Sequence, residues 1–466
     1  MNLRANLHMY LEKNSRKILR CRPILKRSCK ILAALLAVHA IGLCMDYAYV
    51  DVSPTHRLLW HYYYEDRGKI DNLYIGSSHV YSDLNPAQLD YRNGQYNFNL
   101  SSPNQLLNGS YYLLREAAAD NTLSHVYLEL YYDCSAKDTF NENQDPVCLS
   151  ENFNRNWQNT DFMEPSLNKL AYMLSIGGPE SYGDILIPFI RYRSKLDDWE
   201  YVRSNIAKKR EDTYRTYRYH LDLGERGYDE YLEQGYYFST MEFPDENHLF
   251  LQTVILKEHP LGETSEYWLR KFITCCREKN LPLTLFVSPI HDLQLVSTQG
   301  YDCYVRQIRS LAEEYGLEFY DFNLVREEYL PIQDGRYFRD AGHLNNAGAS
   351  LFTPFFYETV TSGALETKHC FYESYEEKLR ETPPALYGLY YREQENLRSY
   401  YIASNRQSGM EYRIIITPQD GEQYCLQDFD TNAQFRLPKD LRGVCTLVAR
   451  MADTPEQVVH TMEIQF

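Results

Sequence analysis

The sequence predicts an α/β fold: a three-layer α/β/α domain around a mostly parallel sheet, behind a membrane anchor and ahead of a small C-terminal antiparallel β-sandwich. Three observations predict it. Short apolar runs alternate with amphipathic helical stretches over 70–132 and again over 265–360, the pattern of strands joined by crossover helices. A basic leader runs directly into an apolar segment near the N-terminus. Past Pro383-Pro384 the pattern changes to short β-like runs separated by turn signals.

The leader comes first. Residues 1–30 carry nine Lys/Arg against a single acid, Glu12, and Ile31 to Met45 follow as fifteen apolar or neutral residues. That run is shorter than the ~20 residues that usually span hydrocarbon, and Tyr47 and Tyr49 extend it to Val50 as an interfacial flank. The positive-inside rule places 1–30 in the cytoplasm and everything past about residue 50 outside the cell membrane. A cleaved signal peptide fits less well, because the basic region is long and no small-x-small site follows. A buried soluble helix would have nine cations as neighbours. The reading is a cytoplasmic tail (1–30) and an uncleaved single-pass anchor (31–50).

Beyond the leader the chain has 39 basic and 63 acidic residues, which argues against a nucleic-acid partner. Eight of the eleven cysteines lie past the anchor at irregular spacing, neither a zinc set nor a disulfide scaffold. Cys134 and Cys148 could form a bridge, while most of the cysteines read as small buried hydrophobes. No metal and no cofactor is assigned.

An α/β domain is expected over 51–378. Its strands are Asn72–Ile75, Gln95–Leu100, Val126–Tyr131, Leu283–Val287 and Glu318–Phe322. Its helices are 105–119, 265–279 (capped by Thr264 or Ser265), 302–315 (closed by Gly316) and 345–361. Residues of about 134–250, rich in Asn, Tyr, Arg and Asp, interrupt the rhythm. They read as an insertion or lid with helices near 167–174 and 200–215. Over 385–466, runs at 397–404, 411–417, 433–437, 444–450 and 458–466 suggest an immunoglobulin-like sandwich.

Sites in parallel sheets form at the C-terminal ends of strands. Ser78 stands there, in Tyr74-Ile-Gly-Ser-Ser-His79, at a strand-to-helix turn that exposes a hydroxyl. Serine is a poor nucleophile until a base takes its proton and a partner orients that base. Phe338-Arg-Asp-Ala-Gly-His-Leu-Asn-Asn-Ala-Gly348 offers His343 as base and Asp340 as orienter. Oxyanion and substrate contacts are expected from Ser77, Ser78 N–H, Ser101, Ser102 and His291, the last in a loop after a strand. The bland alternatives are helix caps for Ser77, Ser78 and Asn345, a turn role for Asp340, and structural roles for His79 and His291.

Strand-Gly-x-Ser, a second strand ending in small residues, and a late Asp-x-x-His-Leu-Asn-x-x-Gly together resemble the SGNH/GDSL-type hydrolases. The closer similarity is to membrane-anchored members acting on cell-envelope polymers, such as the D-alanyl transfer protein of teichoic acid synthesis and exopolysaccharide acetyltransferases. The resemblance covers about 70–132 and 265–360. It implies acyl transfer, most simply O-acetylation, onto an envelope polysaccharide or teichoic acid, with a multi-pass membrane O-acyltransferase supplying the acyl donor. A glycan esterase and a non-catalytic scaffold are the alternatives. Two departures stand out. Ser102 replaces the second-block Gly, and Val126-Tyr-Leu-Glu-Leu-Tyr-Tyr-Asp133 stands where Gly-x-Asn-Asp is usual. An oxyanion hole one donor short would lose about 3 kcal/mol of transition-state stabilisation, which favours transfer over fast hydrolysis.

Overall fold

The computed structural model describes residues 27–50, 53–135, 157–179, 182–243, 249–251, 261–363, 369–405, 409–456 and 458–466. Five parallel strands make one sheet in the order Asn97–Asn99, Asn72–Ile75, His125–Glu129, Leu283–Val287, Glu318–Asp321. The three inner strands are almost wholly buried, which explains why they read as apolar runs rather than alternating ones. Helices Leu107–Asp120, Glu263–Glu278 and Tyr301–Tyr315 flank the sheet, so this part of the chain is an α/β fold.

The contact pattern divides the chain into two compact units, Met1–Val52 with Gly178–Arg215, and Ser53–Gly177 with Thr216–Phe466. In the first, Arg27–Tyr49 is a helix of 23 residues, long and apolar enough to cross a membrane. The second holds the parallel sheet and, at the C-terminus, separate antiparallel sheets.

Some boundaries differ from expectation. The helix expected from Ser265 starts at Glu263, with Gly262 at its N-cap and no side-chain cap. The stretch expected as one helix over 200–215 is two, Trp199–Lys208 and Asp212–Arg215. Gly316 closes Tyr301–Tyr315 in the left-handed conformation (φ 60°). Within the expected insertion, His220–Asp222, Tyr228–Leu232 and Tyr236–Ser239 form an antiparallel sheet. Within it, residues 136–156, 180–181 and 244–248 lie outside the described residues. Cys134 is buried, and Cys148, its expected partner, lies outside the described residues.

Two further strands were not anticipated: Leu386–Glu393 and Tyr424–Asp430. The C-terminal strands form two four-stranded sheets. One of them includes Leu249–Leu251, paired parallel to Leu386–Glu393. A single apolar cluster, including Leu389, Ile402, Tyr412, Ile414, Leu447 and Ile464, draws on both sheets.

The core that matters for the site lies under helix Asn346–Phe356. Tyr74 and Tyr127 stack at 4.6 Å across neighbouring strands, and Phe356 meets both rings edge-on. Phe352 and Phe356 also pack on Phe322. Burying each such ring stabilises by about 1.5–3 kcal/mol, and here it fixes the C-terminal half of the helix against the sheet.

Candidate active site

Strand Asn72–Ile75 ends at Gly76 because nothing larger fits. A Cβ there would lie 2.6 Å from Glu129 Cβ and 2.7 Å from Val80 Cγ2. The chain then turns into helix Ser78–Asp83, with Ser77 as N-cap accepting from His79 N–H. Ser78 is thereby the first helical residue, 8% exposed.

The distant loop reaches it. His343 Nε2 lies 2.7 Å from Ser78 Oγ, and His343 Nδ1 lies 2.8 Å from Asp340 Oδ1. The same carboxylate oxygen accepts the N–H groups of Gly342 and His343, both at 3.0 Å. Burial pushes the Asp340 carboxyl up, but His343 and these hydrogen bonds outweigh it and hold the pKa below its usual range. An ionised Asp340 accepts the hydrogen bond from Nδ1–H and so keeps the ring proton there, which leaves Nε2 as the acceptor facing Ser78.

The loop is held from several sides. Leu344 N–H donates to buried Asp83 Oδ1 at 3.0 Å. Asn345 caps the following helix by accepting from Gly348 N–H, and its amide donates to Met241 and Arg336 carbonyls. Gly348 is required because a Cβ would come 2.2 Å from Tyr337 O. Arg339 pairs with the fully buried Asp229 of the three-stranded sheet at 3.0 Å.

The other expected residues take different places. Ser77 N–H and Oγ both donate to Glu129 Oε2, each at 3.0 Å, so neither is free for an oxyanion. Ser101 and Ser102 are buried just past the second strand, where Tyr74 pairs with Asn99. Ser102 Oγ donates to Gln105 and accepts from Asn159. Among the described residues, the N–H groups of Ser78, Ser101 and Ser102 meet no acceptor. His291 is not joined to Ser78 by a hydrogen bond. It caps helix Asp292–Ser297, its N–H donates to Ala341 O at 3.0 Å, and its ring packs edge-on to Phe243 and Phe338. Its place is behind the loop that carries Asp340 and His343.

No family model matches this chain, and no curated protein shows significant similarity to it.

Two neighbours of the site, Glu129 and Asp83, escaped the sequence reading, and a third, His79, was expected to be structural. Glu129, 3% exposed at the end of the third strand, has its pKa pushed up to about 7 by burial, which the two Ser77 donors only partly offset. Asp83, fully buried, is raised well above the usual carboxylate range, again mainly by burial. His79 lies between Tyr131 (3.9 Å) and His343 (4.6 Å, near-parallel), and burial and the charge of His343 depress its pKa. The signal for Glu129 was an acid inside an apolar strand, Val126-Tyr-Leu-Glu-Leu130. An acid on a buried strand needs a partner, because Glu is almost never fully buried unpaired.

Proposed function

We propose that this chain is a membrane-anchored, extracytoplasmic serine acyl-transferring enzyme of the SGNH type, modifying an envelope polysaccharide or teichoic acid. One observation carries the reading: the continuous hydrogen-bonded line from Ser78 Oγ through His343 to Asp340, drawn from opposite ends of the domain. In the proposed reaction Ser78 Oγ attacks the carbonyl carbon of an ester or thioester as His343 Nε2 takes its proton. The tetrahedral oxyanion is met by Ser78 N–H and a donor from Ser101 or Ser102. On collapse, the acyl group stays on Ser78 and the leaving alcohol or thiol takes the proton from His343. A sugar hydroxyl, deprotonated by His343, then attacks the acyl-Ser and restores the free serine.

The finer architecture belongs to the same proposal: a three-layer α/β/α domain, an immunoglobulin-like module at 385–466, and residues 1–30 on the cytoplasmic side. The partner belongs to the same proposal through the family resemblance alone: a multi-pass membrane O-acyltransferase delivering the acyl donor.

A fluorophosphonate probe tests the nucleophile. Wild type is expected to be labelled and Ser78→Ala not, whereas a folded but unlabelled wild type refutes the triad. Acyl-donor turnover with and without an acceptor glycan tests the transfer step. Release to water alone, unchanged by the glycan, would reduce the reading to an esterase.

A further inference from the structure

The unit that contains the apolar helix Arg27–Tyr49 also contains 182–215, and the second segment grips the end of the first. Lys209 Nζ donates to Tyr47 O and Val50 O, both at 2.7 Å, and Asn205 Nδ2 donates to Ala48 O and Val50 O, both at 3.0 Å. Tyr201 OH donates to Tyr49 O, and Tyr49 OH donates to Leu196 O. These bonds satisfy carbonyls that a helix end leaves without partners, and the Lys209 cation complements the negative end of the helix dipole. Phe189 N–H reaches one turn further back, to Asp46 Oδ1 at 3.0 Å.

Depth follows from helix geometry. At 1.5 Å per residue the helix is about 34 Å long, against a hydrocarbon core of about 30 Å. The turn holding Asp46 to Val50 therefore lies at the edge of the hydrocarbon if the helix crosses a bilayer. Whatever clasps that turn sits at the same level. The clasping segment does not look like the rest of the body. Leu186 to Trp199 reads Leu-Ile-Pro-Phe-Ile-Arg-Tyr-Arg-Ser-Lys-Leu-Asp-Asp-Trp, with three cations against two acids, Asp197 and Asp198, in a chain that is strongly acidic past its leader. Leu186, Ile187 and Leu196 are each 43–45% exposed, and Trp199 is 68% exposed.

We infer that Leu186–Trp199 is an interfacial collar that beds its apolar side chains into the lipid headgroup boundary around the exit of the anchor. Apolar and aromatic side chains with Arg and Lys among them suit that boundary, where tails and anionic headgroups are both within reach. The inference rests on the membrane anchor of the proposed function. The anchor is then not a bare tether, because its exit turn and the collar enter the bilayer surface as one body.

The test uses the unaltered full chain in phosphatidylcholine–phosphatidylglycerol liposomes doped with a phospholipid carrying a diazirine near its headgroup. After illumination, lipid adducts are mapped by mass spectrometry. Adducts on both the Arg27–Tyr49 helix and Leu186–Trp199 are expected. Adducts on the helix with none on Leu186–Trp199 would overturn the collar and leave the anchor standing. No adducts on the helix would remove the anchor, and the collar with it.

Discussion

Replacing Glu129 by Gln should abolish a loss of stability that the wild-type protein suffers as pH rises from about 4.5 to about 7. The carboxyl ionises near 4.5 when unfolded, and burial pushes it up to about 7 in the fold. Between those values the unfolded chain has released the proton and the folded chain keeps it. The folded state therefore binds more protons, and stability falls with rising pH across that window. A shift of about 2.5 units corresponds to about 3 kcal/mol, present in full below pH 4.5 and gone above about 7. In Glu129→Gln the amide oxygen can still accept from Ser77 N–H and Oγ. The amide nitrogen takes the place of Oε1, which has no partner among the described residues, at a pH-independent cost of about 1–3 kcal/mol. Asp83, itself raised in part by Glu129, would be relieved in the same direction. The assay is thermal melting of both proteins at pH 5 and pH 8. The difference in melting temperature should move by several degrees in favour of the variant at pH 8. Parallel pH profiles would refute the reasoning, because they would mean that Glu129 is not held protonated by the fold.

Two further outcomes follow. Asp340→Asn should lower the melting temperature, because the ionised carboxylate is the form that His343 and two backbone N–H groups hold in the fold, and should lower acyl turnover by up to about 10⁴-fold, since an amide no longer dictates the Nδ1 tautomer of His343; single-turnover acylation measures the second effect. Gly76→Ala should cost about 1–3 kcal/mol, because its new methyl meets Glu129 Cβ and Val80 and the turn must shift. Chemical denaturation reads that loss, and a variant as stable as wild type would show that the turn yields freely.

The elements legible in the sequence are those whose local signal agrees with their final burial. Asn72–Ile75 and Leu283–Val287 are apolar on both faces and stop at turn residues, and the structure has them at the expected residues. Tyr301–Tyr315 carries its apolar face and its closing glycine. Tyr424–Asp430 was illegible because it is largely exposed and polar, with no buried face to write a period into the sequence. The three-stranded sheet at 220–239 depends on Gln234 at φ 56° followed by Gly235 at φ 75°, a turn that propensity does not announce. Asp340 and His343 were legible as a pair because both lie on one loop. The roles of Glu129 and Lys209 were not, since each depends on a partner more than fifty residues away.

The two adjacent serines show how the fold separates roles that the sequence leaves equivalent. Ser77 Oγ gives its one hydrogen to Glu129 Oε2. Its lone pairs then face His79 N–H and His79 Nδ1, which must carry the imidazole proton to make that 2.9 Å contact. All of its hydrogen-bonding capacity is engaged, so no lone pair remains for attack. His79, with its proton fixed on Nδ1 and its pKa depressed, is likewise removed as a base for Ser77. Ser78 differs on each point. Its hydroxyl meets an imidazole nitrogen that Asp340 keeps as an acceptor, so the hydrogen leaves along the bond and the lone pairs stay available. The ring of His79 also lies near-parallel against His343 at 4.6 Å. Glu129, Ser77 and His79 thus act through position alone, and they leave one hydroxyl beside one base.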